Sequence, residues 1–158
     1  MRKKPVAQDA QAASMVPEEK WLDLNDLAHV DLTSQDQTHP IENALSTGNS
    51  PDGWRASALG PQTIRIHFDE PQAIRLIRVH FVEKEQERAQ GFLLSCLRNG
   101  ESKREIVRQQ WTFSPNGANE QVENYFVSLT DVVTVELVID PDRGLNRTPA
   151  TLAELRIA

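Results

Sequence analysis

Thr63-Ile-Arg-Ile-His-Phe68, followed after Asp69-Glu-Pro-Gln72 by Ile74-Arg-Leu-Ile-Arg-Val-His-Phe81, decides the fold class of this chain. Ile64, Ile66 and Phe68 recur at every second residue, the period that sends alternate side chains to opposite faces of a strand. The second stretch alternates too, but its apolar phase shifts between Leu76 and Ile77. That shift predicts a bulge, or a strand buried on both faces. Between the two, Asp69-Glu-Pro-Gln72 has the chemistry of a turn.

Downstream the same period continues through Phe92, Leu94 and Cys96, then a run with Ile106, Val107, Trp111 and Phe113. Tyr125, Val127 and Leu129 follow, then Val133, Val135, Leu137 and Ile139, and Leu155 and Ile157 close the chain. Further turns are predicted at Asn99-Gly100, Pro115-Asn-Gly117 and Pro141-Asp-Arg-Gly144. Upstream, Ala28 to Thr33 reads as a strand with Val30 and Leu32 on one face. Thr38 to Leu45 reads as a short helix with Pro40 at its first position and Glu42 where the helix dipole favours an acid. Ser46 to Gly53 is too dense in turn formers for a regular element. Short strands without a long helix to make parallel crossovers point to an all-β, antiparallel sandwich or barrel.

The chain has 158 residues, room for one core. Residues 1–20 lack a strand period and read as a flexible leader, leaving 21–158 as the domain. Met1-Arg-Lys-Lys-Pro5 imitates the start of a signal peptide, but no apolar run follows it. No apolar segment is long enough to cross a bilayer either, so no membrane partner and a cytoplasmic location are the default expectations. The formal charge of −6 disfavours strong non-specific binding to nucleic acid. The single cysteine, Cys96, lies in the apolar stretch Phe92 to Leu97 and is expected to be a buried structural thiol.

Catalytic signatures are missing: there is no glycine-rich phosphate loop, no H-E-x-x-H, no cysteine pair and no G-x-S-x-G elbow. No catalytic residue is assigned, and the chain is expected not to be an enzyme. His67 and His80 alternate with core positions and stand beside Arg65 and Arg78. They form either a basic ligand platform on the outer sheet or an ordinary solvated face. The run Glu83-Lys-Glu-Gln-Glu-Arg88 reads as a solvated charged loop. Trp21 and Trp111 are expected in the core. Trp54, after the glycine-rich loop, is placed either as an exposed residue beside a binding loop or as a plug closing one end of the barrel.

Taken in order, several segments resemble the discoidin, or coagulation-factor C-type, domains of the galactose-binding-like superfamily. They are Thr33-Ser-Gln-Asp36, Ile41-Glu-Asn-Ala-Leu45, Asp52-Gly-Trp-Arg-Ala56, the strand pair Thr63 to Phe68 and Ile74 to Phe81, and Leu152-Ala-Glu-Leu-Arg-Ile157. The resemblance implies a jelly-roll architecture and a non-catalytic binding role. It implies a saccharide held by loops at one end of the barrel, with Trp54, Arg55, Asn116 and Arg143 as loop candidates. It further implies a structural calcium near Asn43, Asp52 and Glu154, although three ligands fall short of the six to eight calcium takes. The alternative is that Asn43 and Glu154 satisfy loop backbone donors. Within the superfamily, Thr33-Ser-Gln-Asp-Gln-Thr-His39, Glu42-Asn43 and Trp54-Arg-Ala56 are similar to the N-terminal domains of animal single-strand-break repair scaffolds. That similarity implies an intracellular adaptor with a protein partner as the second reading.

Overall fold

The computed structural model describes residues 20–46, 53–114 and 116–158. In chain order the elements are α1 (Leu24–Leu27), β1 (Ala28–Leu32), α2 (Glu42–Leu45), β2 (Trp54–Leu59) and β3 (Gln62–Val82). They continue with β4 (Arg88–Arg98), β5 (Arg104–Phe113), β6 (Glu120–Asp140), β7 (Pro149–Leu152) and β8 (Glu154–Ile157). Every strand pairing is antiparallel.

Two strands organise the rest. β3 and β6 are 21 residues each. Laid straight, either would run about 70 Å, far beyond the width of a domain of this size. Both therefore bend. Their mutual register shifts between His67 and Gln72 and again up to Leu76, and Asp131 on β6 takes a positive φ of 56°. On one side of the bend they lie in the row β1-β3-β6-β4-β5; on the other, β8 pairs with Ile77–His80 of β3. β2 and β7 form a separate two-stranded ribbon. The outcome is the all-β sandwich that the alternation predicts.

The inward residues of both halves meet in one cluster. Ile64, Ile66 and Phe68 from the first half of β3 pack with Ile77, Val79 and Phe81 from the second, joined by Leu94, Val135, Leu137, Ile139, Leu155 and Ile157. Each such side chain contributes about 1.5–3 kcal/mol of burial free energy. Cys96 is buried among them, and burial raises its thiol pKa, as expected of a structural cysteine. Trp21 is buried, capped by the Arg78 guanidinium 5.0 Å from its ring centroid. Trp111 is half-buried against the core edge.

Four details depart from the sequence expectations. Asp69-Glu-Pro-Gln72 is no hairpin turn: β3 runs through it, so Thr63–Phe68 and Ile74–Phe81 do not pair with each other but both pair with β6. The residues suit a turn because they suit any departure from regular pairing, and here they serve a bend. Val132 rather than Val133 enters the core. The β4 register steps from Leu97↔Thr134 to Arg98↔Val132, which leaves Val133 as the bulged residue. α2 begins at Glu42 behind Ile41, so Pro40 precedes the helix instead of opening it. α1, capped by the Asp23 carboxylate accepting from the Asn25 N–H, is too short to show a period. The phase shift at Leu76/Ile77 is found as expected, with the register irregularity between Ile74 and Leu76 and both Leu76 and Ile77 buried. Among the described residues no helix is long and apolar enough to cross a membrane.

Candidate functional site

A cleft of about 430 Å³ opens where the β3–β4 loop, the start of β2, the 36–39 turn and β7 come together. Its lining includes His39, Arg55, Glu83, Lys84, Gln86 and Thr151. Local backbone pairing sets the β2 wall. The Arg55 N–H donates to the His39 carbonyl at 3.1 Å, and the Asp36 N–H donates to the Arg55 carbonyl at 2.8 Å. Asp36 itself accepts from the Thr38 N–H at 2.9 Å and from its hydroxyl at 2.8 Å, which stiffens the turn that carries His39.

Gly53 fixes the entry to β2. It adopts φ +61°, and a Cβ there would fall 2.6 Å from the Leu152 carbonyl oxygen, so the close approach of the two chains requires glycine.

The cleft floor is Arg88. Its Nη1 donates to Thr148 Oγ1 at 3.1 Å and to the Pro149 carbonyl at 2.7 Å, and its Nη2 donates to Thr151 Oγ1 at 2.8 Å. Nε stands 2.8 Å from Glu83 Oε1, with the two side chains 3% and 11% exposed. Gln90, one strand period later, is also buried, its amide 3.4 Å from both the Thr151 N–H and carbonyl. The reading of Glu83 to Arg88 as a solvated loop is therefore corrected: its first and last members are a buried ion pair, and the Arg88 guanidinium ties β4 to β7. The signal was present in the sequence. Arg88 is in phase with Gln90, Phe92, Leu94 and Cys96, the inward set of β4.

Trp54 is 1% exposed and lies in the core cluster, its indole N–H donating to the Ser34 carbonyl at 3.2 Å. Of the two placements open from the sequence, the plug is the one found, so its ring offers no face for a ligand to stack on. Arg55 is half-buried on the cleft wall, and its Nε is buried without a hydrogen-bond partner among the described residues. Asn116 is exposed in the β5–β6 turn, and Arg143 is exposed in the β6–β7 loop at φ 59°. Neither lines the cleft. The Arg143 loop is held by Asp142. Burial pushes this carboxyl up, but N–H donation from Arg147, Thr148 and Asn146 outweighs it and holds the pKa below the usual range.

Asn43 donates its side-chain amide to the Gly53 carbonyl at 3.1 Å, and Asp52 lies outside the described residues. Glu154 is held between His80 Nδ1 at 3.1 Å and the Arg156 guanidinium.

His80 bridges two carboxylates on the outer sheet face, Glu154 and, through Nε2 at 3.1 Å, Glu120. The hydrogen bond with Glu154 raises its pKa against the opposing effect of burial, and the same bond brings Glu154 down to about 2. The two signs define a pH window. The His80 contribution to stability is complete below the ordinary imidazole value of 6.5 and is lost as pH rises through the elevated folded value. The Glu154 contribution is complete above 4.5 and is lost as pH falls toward 2. Stability from this pair is thus expected to be greatest between about pH 4.5 and 6.5. His80→Gln should flatten the fall in melting temperature from pH 6 to pH 9; an unchanged slope would remove His80 from the account.

No protein-family model and no curated protein matches the chain. Solved structures do. The family 32 carbohydrate-binding module of C. perfringens NanJ, determined with galactose, is 16% identical over 87% of this chain and 96% of that one, with a TM-score of 0.59. The family 32 module of AlyQ, determined with 4,5-unsaturated mannuronic acid, is 19% identical over 84% and 95%, with a TM-score of 0.60. XRCC1 in its reduced form, bound to the DNA polymerase β catalytic domain, is 18% identical over 84% and 95%, with a TM-score of 0.57. With the strand pairing among the described residues, these likenesses establish that the chain has the β-sandwich fold of these carbohydrate-binding modules and of XRCC1.

Proposed function

We propose that this chain is a non-catalytic carbohydrate-binding module whose ligand occupies the loop-end cleft. The observation that carries the reading is the polar lining of the cleft, where the half-buried Arg55 stands on the wall with Lys84 and Gln86. Guanidinium, ammonium and amide donors on a cleft wall suit oxygen acceptors, and saccharide hydroxyl and carboxylate oxygens are acceptors of the right chemistry. Similar folds determined with galactose and with an unsaturated mannuronic acid support the same reading.

The charge of the cleft narrows the ligand. Glu83 is neutralised by Arg88, while among the described residues Arg55 and Lys84 remain on the lining beside a single further acid, Glu85. Trp54, withdrawn into the core, offers no stacking face. Recognition by cations in place of an aromatic platform favours a uronic-acid saccharide over a neutral one. Calorimetric titration should show an oligouronate binding more tightly than galactose, and Arg55→Ala should weaken binding at least tenfold while leaving the melting temperature nearly unchanged. Absence of saturable binding by either sugar at millimolar concentration would overturn the proposal.

A second reading, a protein-interaction adaptor, is favoured by one surface. Glu120–Leu129 of β6 pairs with β3 along one edge, no strand pairs with its other edge among the described residues, and Val122 and Phe126 are exposed on it. An open edge with exposed apolar side chains suits strand addition by a protein partner. The match to polymerase-bound XRCC1 supports this reading at the level of the fold. Failure of the sugar titrations would make it the reading to pursue, by capture of partners on the wild-type chain and on Phe126→Asp.

A further inference from the structure

We infer that His29, Asp31 and His67 form a binding site for a divalent metal of the zinc class. None of them lines the cleft. The antiparallel register places His29 directly opposite His67, and Asp31, two residues along β1, projects from the same face. One strand period and one cross-strand pair thus assemble two imidazoles and a carboxylate. One ligand atom from each lies within 4.8 Å of the others.

Three features of the local geometry bear on a metal. First, His67 Nε2 and Asp31 Oδ2 are 3.0 Å apart, close to the edge of about 3.3 Å expected between two ligands of a tetrahedral ion with bonds of 2.0–2.1 Å. In the free protein the imidazole N–H donates to the carboxylate at that separation, and a metal would take the place of that proton. Second, His67 Nδ1 is 3.1 Å from Thr134 Oγ1 on β6. A partner on the distal nitrogen fixes the ring and directs Nε2 outward, the support that ligating histidines commonly have. Third, the His29 ring stacks on His67 with centroids 4.9 Å apart and an interplanar angle of 28°. His29 is exposed, so its ring would turn from this stacked position toward the other two ligands without disturbing the core.

Two nitrogens and one oxygen suit zinc and its neighbours in the first transition row, and do not suit calcium or magnesium, which take oxygen ligands. Three protein ligands leave a coordination position for water or an added ligand. β1 lies at the edge of its sheet with β3 as its neighbour, so the ion would clamp that edge strand to β3 and add to stability in proportion to its occupancy.

The full chain, stripped with a chelator and dialysed, would be titrated with zinc chloride by calorimetry, with its melting temperature followed in parallel. One zinc per chain and a rise in melting temperature are expected, with calcium chloride giving neither. His29→Ala and Asp31→Asn should each weaken zinc binding at least tenfold, and both are surface changes that leave the core intact. His80→Gln should bind zinc as the wild type does. Cobalt(II) titrated in place of zinc should give the intense visible absorption of a four-coordinate site. Absence of saturable zinc binding, or affinity unchanged in both His29→Ala and Asp31→Asn, would overturn the inference.

Discussion

Trp54→Ala is expected to destabilise the domain by about 3–5 kcal/mol, the range for removing a large buried aromatic. The side chain is 1% exposed and belongs to the core cluster, so truncation leaves a cavity where β2 meets β7 at Trp54↔Leu152. It also removes the donor to the Ser34 carbonyl. Ser34 is itself a joint, its hydroxyl donating to Gln62 Oε1 at 2.8 Å and accepting from the Ser57 N–H at 3.1 Å. Urea unfolding followed by circular dichroism would measure the loss as a lower midpoint. A change within about 0.5 kcal/mol, the ordinary range for a surface substitution, would show that the ring is exposed after all. Because the substitution strikes the core, it is not a clean probe of ligand binding; Arg55→Ala is.

Arg88→Met should cost a comparable amount, about 3–5 kcal/mol, because it removes one partner of a buried ion pair and leaves the other charge uncompensated. Glu83 keeps the Glu85 and Gln86 N–H groups as donors, at 3.0 and 3.3 Å, but loses its cation. The Thr148 and Thr151 hydroxyls and the Pro149 carbonyl lose their donors together. Burial works against the charged guanidinium and lowers its pKa, yet an arginine stays protonated, so this cost is carried in the folded state. The double variant Glu83→Gln/Arg88→Met should recover part of the loss, which a double-mutant cycle would measure. A single-variant effect below about 1 kcal/mol would return this residue to the solvated loop its neighbours suggest.

How far the site was legible follows from two arginines. Arg55 was readable from the segment Asp52-Gly-Trp-Arg-Ala56, since it follows a turn-rich loop at the start of a strand. Arg88 was not readable from its own neighbourhood, where five polar or charged residues precede it. It was readable only by extending the β4 period backward from Cys96. His39 joins the cleft because its carbonyl pairs with the Arg55 N–H, a contact between segments 16 residues apart that no local pattern encodes.

The sequence alone determined the fold class. Period-two alternation from Ile64 to Ile157 with no long helical period admits an antiparallel sandwich and little else, because burying one face of each strand is the dominant favourable term. It also determined the phase break near Leu76 and the buried character of Cys96, both consequences of apolar spacing. Tertiary structure decided what depends on register between distant strands. It carried β3 and β6 through both halves of the sandwich, withdrew Trp54 into the core, paired Glu83 with Arg88 and joined Arg88 to β7. It also set His29 across from His67. Alternation states which face a side chain takes but not which residue of another strand it meets, and a shift of one register position exchanges every partner.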